Sequence, residues 1–193
     1  MGRSAFFRMA GAVFGSVFFL MGPSGISMGQ ESVSPPSTLP APVQNICEGA
    51  EFSQFDFWLG HWQVMDRSND HILAGTNHIE KLKGGCALLE HWTAQSGGSG
   101  ESLTYYDPTS RKWRQIWIAV PGYLIDISGS LIKPGVMRLE GFLRPYSGAE
   151  SPFRGTWTAN DDGSVRQFFE IKNGPPNTDW SPWFDGLYKP LSD

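Results

Sequence analysis

Three short segments of this 193-residue chain set polar side chains and aromatic rings at alternate positions. Cys86, Leu88, Glu90 and Trp92 share one parity; Trp113, Gln115 and Trp117 share a second; Arg166, Phe168 and Glu170 share a third. In a β-strand, residues two apart lie on one face, so each set is a candidate row on a sheet surface. Pooled, Glu90, Trp92, Gln115, Trp117, Arg166, Phe168 and Glu170 have the make-up of a small-molecule pocket, apolar walls with sparse polar anchors. That reading points them all inward. The rival is an outward polar face with tryptophans covering the wall, because alternation defines faces without saying which is inside.

Placed inside, Glu90 and Glu170 need a partner, since burying an unpaired carboxylate is costly. Arg166 is the expected counter-charge for one or both. Such a cluster either orients the lining or holds a carboxylate or hydroxyl of a ligand. A glutamate with a raised pKa would serve as a general acid or base, which is isomerase or lyase chemistry rather than acyl transfer. No Gly-x-Ser-x-Gly, Gly-rich phosphate loop or His-Glu-x-x-His is legible, so no catalytic residue is assigned and enzymatic activity stays open. The histidines are 61, 71, 78 and 91. His78 and Glu80 share a face, but nothing fixes a third ligand, so neither a metal nor another cofactor is expected. His61 and His71 are read as surface residues.

These side chains must be held by strands. Eight Trp, thirteen Phe and five Tyr, with 23 Gly and 14 Pro, argue for a turn-rich β protein and against a helical bundle. Ten runs read as strands: 61–67, 72–81, 86–94, 102–106, 113–119, 123–130, 136–143, 153–159, 165–172 and 183–189. Turn chemistry separates them, as in Lys83-Gly84-Gly85, Asp107-Pro108-Thr109 and Asp161-Asp162-Gly163. Connectors this short imply antiparallel neighbours in a meander. An all-β, up-and-down antiparallel barrel of about ten strands satisfies the edges, with a two-sheet sandwich as the rival. Before the first strand, Phe52, Phe55, Trp58 and Leu59 have the spacing of a short helical turn, ended by Gly60.

Met1–Gly29 reads as a secretory signal: Arg3 and Arg8, a charge-free apolar run from Met9 to Met21, then Ser27-Met28-Gly29. The run is shorter than the roughly 20 residues of a membrane span, so no stable anchor is expected after cleavage. Residues 30–46, rich in Ser and Pro, read as a linker, and 47–191 as the domain. The chain is thus expected in the periplasm or outside the cell. There Cys47 and Cys86 either form a disulfide or stay as buried thiols. The net charge of −4 and the lack of a basic patch argue against a nucleic-acid partner. Oligomeric state is not legible.

Gly60-His61-Trp62 stands where the helical turn meets the first strand and resembles the Gly-x-Trp of lipocalin-like barrels, which implies that Trp62 plugs the closed end of a barrel; Gly155-Thr156-Trp157 repeats the motif without that context. The longer string Phe55-Asp56-Phe57-Trp58-Leu59-Gly60-His61-Trp62-Gln63-Val64 resembles the opening of a family of exported bacterial proteins, the domain of unknown function 1579. Gly85-Cys86-Ala87-Leu88-Leu89-Glu90-His91-Trp92, then Tyr106-Asp107-Pro108 with Lys112-Trp113, Val165-Arg166-Gln167 and Phe184-Asp185-Gly186-Leu187-Tyr188 resemble its later blocks, in order. The resemblance implies a calycin-like barrel without assigned catalytic residues. In the related nitrobindin-like barrels a His near the C-terminus holds haem; here no His follows residue 91, so haem is not expected. The reading that results is an exported barrel that takes a small, largely apolar or amphipathic ligand.

Overall fold

The computed structural model describes residues 47–69, 71–120, 122–172, 174 and 179–191. The expected signal, 1–29, and the linker, 30–46, lie outside the described residues. Ten strands form one closed antiparallel barrel. They are β1 Gly60–Asp66, β2 Ile72–Lys81, β3 Ala87–Ala94, β4 Ser99–Asp107, β5 Lys112–Val120, β6 Tyr123–Lys133, β7 Val136–Pro145, β8 Ser151–Ala159, β9 Val165–Lys172 and β10 Trp180–Pro190. Each pairs with its sequence neighbours, and β10 closes on β1, with Val64 opposite Tyr188. Full closure satisfies every strand edge, which a sandwich does not.

Six strand starts differ from the sequence reading, and three of them have a local reason. Cys86 stays in the turn before β3, bonded to Cys47. β4 begins three residues early because Gly100 pairs with Ala119 instead of ending the turn. β10 begins at Trp180, three residues before the expected start at Trp183. Its Pro182, opposite Glu170, is tolerated because the register shifts between Pro182 and Phe184.

The cap on one end comes from the segment before β1. It forms two 3-10 turns, Ala50–Ser53 and Asp56–Trp58, which bury Phe52, Phe55 and Trp58. Gly60, at φ +134°, lets the chain leave the cap and enter β1. Two ties fasten the cap to the β2–β3 hairpin: the Cys47–Cys86 disulfide, and Lys81 Nζ at 2.8 and 2.7 Å from the Asp56 carboxylate oxygens. Beneath the cap Phe55 stacks on Trp58, with ring centroids 5.2 Å apart, and meets Trp113 and Trp157 edge to face. All four rings are fully buried. Trp62 lies just above, its Nε1 donating to the Trp58 carbonyl at 3.0 Å. Both Gly-x-Trp motifs therefore supply rings to the closed end, because β8 ends there as β1 begins there.

Candidate functional site

Register places the inward-facing residues in layers. Above the apolar cap, neighbouring strands bring Asn77 from β2, Glu90 from β3, Ser102 from β4 and Gln115 from β5 to one level, joined by Gln167 from β9 and Tyr188 from β10. All are buried, Glu90 to 3% exposure.

They form one hydrogen-bonded network. Glu90 Oε1 accepts from Asn77 Nδ2 at 2.7 Å; Oε2 accepts from Ser102 Oγ at 2.6 Å and from Gln115 Nε2 at 3.4 Å. Asn77 Nδ2 also reaches the Tyr188 hydroxyl at 3.2 Å, and that hydroxyl donates to Gln167 Oε1 at 2.6 Å. Among the described residues, every hydrogen-bond partner of Glu90 is thus neutral. Burial pushes its carboxyl up to about 7, against the pull of Ser102, Asn77 and the charge of His91 on the outer face. Burial likewise holds the Tyr188 phenol well above its usual range, with the Glu90 charge adding to the effect.

Beyond this polar level lies a cavity of about 130 Å³. Glu90, Gln115, Gln167 and Tyr188 line its base, and Trp92, Trp117, Tyr123, Phe169, Trp183 and Phe184 line its walls with Ile125. Glycines explain why the rings leave this space. A side chain at Gly186 would come within 2.6 Å of the Phe184 ring, and one at Gly75 would meet the Thr93 carbonyl as well as the Trp92 ring, the latter at 2.8 Å. Gly100 stands in the same relation to Trp117, and Gly155 to Phe169. Each ring occupies room that a side chain on the wall would take, so it lies along the wall instead of crossing the lumen. The extra residue at the β10 bulge, Trp183, packs edge to face on Tyr123 and Phe153, with centroids 5.7 and 5.3 Å away.

The structure brings together four of the seven residues pooled as a pocket, Glu90, Trp92, Gln115 and Trp117. Arg166, Phe168 and Glu170 require a correction, because they lie on the outer face of β9. Arg166 pairs in two-pronged fashion with Asp185, at 2.8 and 2.9 Å, and stacks over Phe168 at 4.6 Å. Glu170 pairs with Arg154 at 2.6 and 2.8 Å. Arg166 is therefore not the counter-charge of Glu90. The reason is desolvation: the Arg166 row continues through Glu170 to Lys172, whereas Val165, Gln167, Phe169 and Ile171 carry no charge and are cheap to bury.

The sequence reading missed Asn77, Ser102, Gln167 and Tyr188, and most of the cavity rings. A signal for the rings was present, since glycine inside a strand marks the close approach of another group. On the outer face, His61 stacks on His78 with centroids 3.9 Å apart, and His91 follows at 6.1 Å. Among the described residues, no group of three or more His, Cys, Asp or Glu is placed to hold a metal ion.

Chemically, the site offers apolar walls, amide and hydroxyl anchors, and one carboxyl that titrates near neutrality. Among the described residues, the cavity lining includes no Ser, Cys, Thr, Lys or His that would act as a nucleophile. No protein-family model matches the chain, and no curated protein matches it.

Proposed function

We propose that the protein is an exported barrel that binds a small, largely apolar ligand in its interior. The observation that carries this reading is the aromatic-walled cavity with the Glu90 network at its base. Space of about 130 Å³ suits a body of about the size of a single aromatic ring. The Cys47–Cys86 disulfide supports export, because such bonds persist in oxidising compartments, and the expected signal segment agrees.

Native mass spectrometry of the protein purified from its own exporting host, with a denatured control, tests this. A non-covalent adduct lost on denaturation is the expected result and gives the ligand's mass. A cavity that takes up neither a native adduct nor any added small aromatic compound contradicts it.

One observation favours a second reading. A carboxyl titrating near 7 at the base of a cavity can take a proton from a bound substrate and return it elsewhere, as an isomerase or lyase requires. Turnover of a bound compound, lost in Glu90→Gln with binding retained, would select that reading.

A further inference from the structure

Glu90 is a buried carboxyl whose hydrogen-bond donors suit its charged form, while burial without a cation opposes that form. Asn77, Ser102 and Gln115 all present donors to its two oxygens, at 2.7, 2.6 and 3.4 Å. Three donors favour the anion over the acid. Yet among the described residues no Lys or Arg contributes to its electrostatics; His91, across the barrel wall, is the charge that acts on it. The arginines of β8 and β9 are committed on the outer face, Arg154 to Glu170 and Arg166 to Asp185. A buried anion with good hydrogen bonds and no cation is an incomplete ion pair.

The cavity supplies the place where the missing charge would stand. Glu90 lines its base, and its walls are mainly the rings of Trp92, Trp117, Phe169 and Phe184, with no Lys or Arg among the described lining residues and the Trp117 indole N–H as an unpartnered wall donor. Aromatic rings around a carboxylate form the arrangement that recognises ammonium ions, the rings through their negative faces and the carboxylate through its charge. The chain's net charge of −4 also favours the approach of a cation over that of an anion.

We infer that the cavity's ligand is a small organic monocation, an ammonium group on an apolar body, whose nitrogen pairs with Glu90 among the aromatic rings. This rests on the proposal that the cavity binds a ligand and adds the ligand's charge. A neutral ligand would leave the carboxylate unpaired, and an anionic one would face it directly.

Titration calorimetry of the full exported chain at about pH 8, where Glu90 is ionised, with benzylamine, benzyl alcohol and benzoate tests the inference. The three probes share one ring and differ in charge. Benzylamine is expected to bind about tenfold or more tighter than benzyl alcohol, with benzoate weakest. In Glu90→Gln the amine's advantage should vanish while the alcohol still binds. Benzyl alcohol or benzoate binding as tightly as the amine to the unaltered protein overturns the cation and leaves the cavity reading standing. Failure of all three to bind overturns both. The comparison within the unaltered protein stands even where the variant does not fold.

Discussion

Ser102 Oγ donates a 2.6 Å hydrogen bond to Glu90 Oε2 from the position directly opposite it on the neighbouring strand. The pair is buried on both sides, and the bond is one of the two short contacts that hold the carboxylate charge in an apolar interior. Substitution Ser102→Ala removes it and leaves that oxygen the 3.4 Å contact from Gln115. The expected outcome is a loss of about 1–3 kcal/mol in denaturant stability at pH 8 and a smaller loss at pH 5, where Glu90 is protonated. The Glu90 titration should also move further up, since that bond lowers it.

Glu90 itself gives stability a definite pH dependence. Its pKa rises from 4.5 to about 7 on folding, so the folded state holds the proton more tightly than the unfolded chain. The resulting stability is complete below about 4.5 and is lost as pH rises through 7, a change of about 3 kcal/mol. In Glu90→Gln that slope should disappear. The new amide can be accommodated because Asn77 Oδ1 has no partner and can turn to accept from it. Urea midpoints of the two proteins from pH 4 to pH 8 check this. Parallel curves would contradict it.

How far the site was legible in sequence depended on which physical rule applied. Alternation and turn chemistry were enough for ten strands, because each connector is short and carries its own Gly, Pro or Asp. The register then followed from closure. Facing was harder. On β5 the aromatic row of Trp113, Gln115 and Trp117 carries no charge, so the pocket reading and the desolvation rule agree; on β3 the inward row carries Glu90, whose burial is offset by the donors of Asn77, Ser102 and Gln115. On β9 they disagree, and desolvation decides: Arg166 and Glu170 stay outside, where Asp185 and Arg154 meet them. Asn77, Ser102 and Tyr188 were hidden for another reason. Their roles arise from contacts between strands, such as Asn77 with Tyr188 across 111 positions of chain, and no local pattern encodes these. The strand glycines did carry information about the rings, in the form of places where a side chain was left out.

Gly100 offers a direct check of that last point. In Gly100→Ala the new methyl group would meet the Trp117 indole, so the ring must turn into the cavity. We expect a stability loss of about 1–3 kcal/mol from overpacking, together with weaker binding of benzylamine and benzyl alcohol alike. Unchanged binding of both probes would show that Trp117 does not shape the cavity.

The disulfide fastens the cap rather than the cavity. Cys47 and Cys86 are 39 positions apart, a loop whose closure is worth roughly 4 kcal/mol before native strain. Thermal unfolding with and without a phosphine reductant should show a lower Tm for the reduced protein. Binding of benzylamine well below that Tm should persist, since Phe55, Trp58, Trp113 and Trp157 still close the barrel floor.

The most direct test of a cavity built around an uncompensated carboxylate is the ionisation of Glu90 itself. Its carboxyl carbon can be followed by NMR in protein labelled at glutamate and assigned by its loss in Glu90→Gln. The account predicts a midpoint near 7 in the free protein, falling when benzylamine saturates the cavity. A midpoint near the ordinary 4.5, unmoved by the amine, would contradict it.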